Sequence, residues 1–114
     1  FWYFLWPVEP QDGPFDYVPG SHRLGARRLQ WEQRTADAAI RHQRQPDVSG
    51  SFRIHEDALA ELDLPAPKAF TCPANTLVLA DVFGFHRRGS ALPGRRRLSL
   101  YGWNRPYPFL PITW

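Results

Sequence analysis

Apolar positions along the chain gather into short runs broken by proline, glycine and charge, and each run predicts an element. Phe1 to Val8 is an aromatic-rich run bounded by Pro7 and Pro10, which reads as a strand. Gln11-Asp12-Gly13-Pro14 is a turn signal, Phe15 to Val18 a second short strand, and Pro19-Gly20-Ser21-His22 closes it. The two strands are expected to pair as a hairpin. Leu29, Trp31, Ala36 and Ile40 recur at near-helical spacing, so a helix is predicted over Arg27 to His42. A polar linker follows over Gln45 to Ser51, then a brief extended piece over Phe52 to Ile54. Glu56 to Leu62 has acidic residues at its start and Leu59 and Leu62 on one stripe, which predicts a short helix. Leu64-Pro-Ala-Pro67 stops it. Strands or strand pieces are then expected over Lys68 to Cys72, Thr76 to Asp81, Phe83 to His86 and Arg96 to Trp103. The tail from Asn104 to Trp114 alternates aromatics with Pro106, Pro108 and Pro111, so it cannot pair as a central strand and reads as an extended flap over the sheet.

Strands on either side of two grouped helical inserts suit a mainly β, antiparallel jelly-roll or barrel better than alternating βαβ units. The opening strand has no partner before it, which predicts an incomplete sheet with Phe1 to Trp6 as an apolar edge. The first residue is Phe1 and the chain opens directly on a strand. Residues 1–114 are therefore expected to form a single domain, the C-terminal part of a larger one.

Composition narrows the picture little. With 114 residues, 43% hydrophobic and 15% aromatic, the chain can bury a core. A net charge of +3 from 14 basic and 11 acidic residues is too small to argue for nucleic acid by bulk charge. Arginines interleaved with Trp103, Tyr107 and Phe109 keep single-stranded nucleic acid as a weaker rival, although the prolines there argue for packing. No run approaches a membrane span and nothing resembles a signal peptide. The single Cys72 excludes an internal disulfide, fits a reducing cytoplasm and reads as a buried structural thiol.

The candidate chemistry lies between Ala80 and Ser99. His86 ends one apolar run, Pro93-Gly94 marks a turn, and Arg97 enters the next run. Two-residue alternation places Arg97, Ser99 and Tyr101 on one face, with Leu98, Leu100 and Gly102 on the other. If the polar face lines a barrel, the guanidinium needs a partner, because an isolated buried charge is costly. A carboxylate ligand supplies it through paired hydrogen bonds, with the serine hydroxyl adding a third. His86 could then present its imidazole to a metal. The plainer alternative is a surface histidine followed by a solvated basic loop, and the same choice applies to Arg87, Arg88, Arg95 and Arg96, which serve either as loop charges or as attraction for an anionic substrate.

Several local patterns combine into a resemblance. Trp2-Tyr-Phe-Leu, then Gly13-Pro14-Phe-Asp-Tyr-Val-Pro19-Gly20-Ser21-His22-Arg23, resembles the "W-x-x-L … NGP-x-x-x-x-PGSH" segment of the phytanoyl-CoA dioxygenase family. Cys72-Pro-Ala-Asn-Thr-Leu-Val-Leu-Ala-Asp81, with His86 and Arg97-x-Ser99, is similar to that family's "GD-x-x-x-F-D … H … R-x-S" region. The resemblance spans nearly the whole chain in the right order. It implies a double-stranded β-helix, iron(II), 2-oxoglutarate as co-substrate, and hydroxylation of a small organic substrate. By the same resemblance His86 would be the distal iron ligand, Arg97 would hold the remote carboxylate of 2-oxoglutarate with help from Ser99, and Trp2 would line that pocket.

This sequence departs from the family at one place. The family's His-x-Asp lies upstream of its tryptophan strand, where this chain begins, so the chain alone is expected to be inactive. His55-Glu56-Asp57 has the right letters, but it falls at a helix start, where its acids have an ordinary role beside the helix dipole. His22 is expected to be structural and His42 solvated. The rival to an oxygenase is a metal-free jelly-roll module that binds an anionic ligand or a protein partner.

Overall fold

In a computed structural model, residues 1–41 and 53–103 are described. The predicted linker over Gln45 to Ser51, His42, Phe52 and the Asn104 to Trp114 flap lie outside the described residues. Among the described residues six strands of three residues each and two helices follow in the order β1 (Trp2–Phe4), β2 (Phe15–Tyr17), α1 (Ala26–Arg41), α2 (Glu56–Glu61), β3 (Lys68–Phe70), β4 (Thr76–Val78), β5 (His86–Arg88) and β6 (Ser99–Tyr101). The strands form two small three-stranded sheets, ordered β4-β1-β6 and β3-β2-β5. With a helix of 16 residues as its longest element, the described part mixes sheet and helix rather than being mainly β.

Two expectations about the first strands are corrected. β1 and β2 lie in different sheets, so they make no hairpin. Nor is β1 an exposed edge, because it is the central strand of its sheet, antiparallel to both β4 and β6. Trp2 pairs with Val78 and Tyr101, Tyr3 with Leu77 and Leu100, and Phe4 with Thr76 and Ser99. Those partners lie far away in sequence, which local patterning cannot reveal. The aromatic run is placed where its backbone groups are paired on both sides, which removes the hazard of an open edge. Val8 continues the pairing with Cys72 through N–H···O bonds of 2.8 and 3.1 Å. That leaves Cys72 half-buried rather than buried.

The backbone divides into two compact units. The first comprises Phe1–Phe15, Ala69–Ala80 and Arg88–Trp114, and the second Asp16–Lys68 and Asp81–Arg87. In the first, Phe4, Val8 and Phe15 form the buried core. In the second, Val18, Trp31, Leu59 and Leu62 do so.

Both helices form where periodicity and breakers place them, and of the four residues that marked α1, Trp31 is buried and Ala36 half-buried. Leu29 and Ile40 are exposed, and the buried positions are Arg28 and Trp31, with Thr35, Ala38 and Ala39 half-buried below them. That i, i+3, i+7 stripe is centred on the one large ring, and the arginine stem fills the position an aliphatic residue would take. α2 ends in a two-bond cap. Asp63 N–H donates to Ala60 O at 3.0 Å and Leu64 N–H to Leu59 O at 2.9 Å. Asp63 adopts the left-handed conformation (φ 58°) that such a cap requires. His55 precedes the helix without a side-chain cap bond, and Asp57 accepts from Ala58 N–H at 3.0 Å, so the His55-Glu56-Asp57 triplet serves a helix start.

Candidate functional site

The sheet β4-β1-β6 carries two of the four candidate residues, Trp2 and Ser99, and Arg97 lies two residues before β6. Directly paired antiparallel residues project to the same face, so Trp2, Phe4, Thr76, Val78, Ser99 and Tyr101 share one face and Tyr3, Leu77 and Leu100 the other. Alternation adds Arg97 to the first face and Leu98 to the second. Burial runs opposite to polarity over residues 97–100, which lead into β6. Leu98 is 42% and Leu100 57% exposed, whereas Arg97 and Ser99 are half-buried and Phe4, on the same face, is fully buried. Tyr101, the next residue of that face, is exposed again.

Two further residues orient Arg97. Its Nη1 donates to the carbonyl oxygen of Gly13 at 2.6 Å, and its guanidinium lies 5.5 Å from the centre of the Phe4 ring. Gly13 is needed for this. Its φ is +71°, and a Cβ there would stand 2.8 Å from Gly89 O. Trp2 stacks between Phe15 (centroids 4.3 Å apart) and Tyr101 (6.4 Å), and Tyr101 stacks in turn on Trp103 at 5.5 Å. An aromatic row thus runs along the face that carries Arg97 and Ser99.

His86 opens β5 in the second unit. The strand starts there rather than ending there, because Asp81 to Gly84 forms a turn closed by Gly84 N–H to Asp81 O at 3.0 Å. The side chain is exposed. Its Nδ1 lies 2.8 Å from the carbonyl oxygen of Gly84. A carbonyl only accepts, so Nδ1 carries a proton in this contact.

The turn before His86 is held from several sides. The Tyr17 hydroxyl donates to Asp81 O at 3.0 Å. Burial pushes its pKa up, the Asp81 charge adds to the rise and Arg28 opposes it. Ser21, almost wholly buried, accepts from Phe85 N–H at 2.8 Å and donates to Val18 O at 2.7 Å. Val18 N–H donates to Phe85 O at 2.9 Å. Arg28 bonds Ser21 O and Glu32, reaches Phe83 O at 3.1 Å, and stacks 3.8 Å from the Phe85 ring centre. The Pro19-Gly20-Ser21-His22 turn therefore has a defined task carried by its serine, while His22 is exposed.

The arginine cluster divides. Arg95 pairs with Asp12 at 2.7 Å and Arg87 with Asp16 at 3.1 Å, and both carboxylates are buried. Asp12 also accepts from Glu9 N–H at 2.9 Å. That backbone bond, more than the Arg95 guanidinium, holds its carboxyl below the usual range against the opposing effect of burial. Two of the four arginines are thus ion-pair partners of buried acids rather than plain loop charges. Sequence reasoning missed Asp12, Asp16 and Arg28, and the only local signal was an acid inside each of two apolar or turn segments.

No family model, curated protein or solved structure matches the chain. Among the described residues no three histidine, cysteine, aspartate or glutamate side chains gather into a group able to hold a metal. No described helix is long and apolar enough to cross a membrane.

Proposed function

We propose that this chain carries the distal histidine and the co-substrate anchor of an iron(II)/2-oxoglutarate-dependent oxygenase of the phytanoyl-CoA dioxygenase type, with a jelly-roll core. The observation that supports it most is the burial over residues 97–100, where Arg97 and Ser99 are half-buried while Leu98 and Leu100 are exposed. Arg97 already donates to the carbonyl oxygen of Gly13 and lies over the Phe4 ring, which fixes its direction. Paired charge-assisted bonds from that guanidinium to a carboxylate ligand, with one from Ser99, would use this placement. Trp2, on the same face, would wall the pocket.

The chain's own residues fit one corner of an iron site. With Nδ1 on the Gly84 carbonyl, Nε2 of His86 would be the atom that faces the metal, and no group of three possible metal ligands is gathered among the described residues. When bound, iron with 2-oxoglutarate would supply the oxidant for hydroxylating a small organic substrate. Arg97 and Ser99 would orient the co-substrate by its far carboxylate, and His86 would hold the metal on one side.

Calorimetric titration of the full-length protein with 2-oxoglutarate, anaerobically and with Fe(II), tests the assignment. Arg97→Met should weaken binding by roughly a hundredfold, the value of about two charge-assisted hydrogen bonds. Equal affinity in the variant would remove Arg97 from the site. The alternative, a metal-free module for an anionic ligand, predicts that dicarboxylate binding needs Arg97 but is indifferent to metal.

A further inference from the structure

We propose that Ser21, backed by Arg28, is a positioning residue that selects the tautomer of the neutral His86 ring by holding the proton on Nδ1. The inference deepens the oxygenase reading, on which its functional meaning rests, but its geometry lies wholly within the second unit.

The argument turns on one peptide plane. Gly84 C=O and Phe85 N–H belong to the same trans peptide and therefore point in opposite directions. Ser21 Oγ takes the Phe85 N–H at 2.8 Å, and that bond aims the Gly84 carbonyl the other way, at Nδ1 of His86, 2.8 Å off. The serine cannot drift, because its own hydroxyl is donated to Val18 O and its carbonyl is held by Arg28. Arg28 also fixes the preceding carbonyl, Phe83 O, and lies over the Phe85 ring. A glycine at 84 leaves the plane intrinsically free to turn, so these bonds set its direction. With the plane fixed, the carbonyl demands a proton on Nδ1, and the lone pair falls on Nε2.

Two-dimensional 15N–1H spectra of the imidazole in the full chain, at about pH 8 where histidine is ordinarily neutral, read this directly. The His86 signal is identified by its loss in His86→Gln. The wild type should show the proton on Nδ1. Ser21→Ala, the volume-conserving Ser21→Cys and Arg28→Lys should each lower the Nδ1–H to Nε2–H ratio by about two- to tenfold, the range expected for one lost hydrogen bond. Leu59→Val, which loosens the same unit's core without touching the turn, should leave the ratio unchanged. A wild-type proton on Nε2, an unaltered ratio in the folded serine and arginine variants, or an equal shift in Leu59→Val would each overturn the proposal. The spectra need neither iron nor 2-oxoglutarate. Failure of the oxygenase reading, seen as no metal-dependent 2-oxoglutarate binding, is thus recorded separately.

Discussion

Adding a single methyl group at Gly84 tests the packing that supports His86. A Cβ built there would stand 2.1 Å from the Tyr17 hydroxyl oxygen, 2.4 Å from its Cζ and 2.8 Å from Cε2. Tyr17 is not free to swing aside at no cost, because its hydroxyl is bonded to Asp81 O. Overpacking of this kind costs about 1–3 kcal/mol, and losing the Tyr17 bond adds about 0.5–1.5 kcal/mol. Gly84→Ala should therefore lose about 2–4 kcal/mol. With a urea slope of ~1.5 kcal/mol/M, that lowers the unfolding midpoint by about 2 M. A double-mutant cycle assigns the cause. In a Tyr17→Ala background the same glycine change should be nearly neutral, which leaves a coupling of about 2–3 kcal/mol. A loss below about 0.5 kcal/mol in the wild-type background, or an equal loss with and without the ring, would refute the reasoning.

Other variants probe the remaining features. Asp12 is held below its ordinary pKa, so it stabilises the fold above the unfolded carboxylate range and loses that contribution as pH falls through its folded value. Urea midpoints of wild type and Asp12→Asn should accordingly differ at neutral pH and converge well below about pH 4. Asp63→Gly removes a left-handed non-glycine residue from the cap of α2 and should raise stability by about 0.5–1 kcal/mol, read as an upward shift in thermal midpoint. Gly13→Ala meets both a positive φ and Gly89 O, and should lower the midpoint; Gly20→Ala, with a positive φ but open space around it, should cost less.

What the residues announced in advance was mainly local. Leu59 with the Pro65–Pro67 stop marked α2, and the alternation from Arg97 to Leu100 matches alternating half-buried and exposed positions, a pattern that Tyr101 breaks. What stayed hidden depended on partners distant in sequence. Arg95 meets Asp12 across 83 residues and Arg87 meets Asp16 across 71, so neither pair leaves a local pattern. The central position of β1 is of the same kind, since Trp2 to Phe4 reads equally well as an edge until β4 and β6 are placed beside it. The inward face of α1 could not be read from spacing for another reason. Arg28 reaches the Phe83–Phe85 turn with both its charge and its apolar stem, and it outcompetes Leu29 for the buried side.

Succinate release from 2-oxoglutarate by the full-length protein, supplied with Fe(II) and oxygen, examines the central claim most directly. The wild type should release succinate, Arg97→Met should fall by about a hundredfold or more at sub-saturating co-substrate, and His86→Ala should abolish release. Turnover that survives Arg97→Met and His86→Ala unchanged, or a wild type that folds, takes up Fe(II) and releases no succinate, would contradict the account.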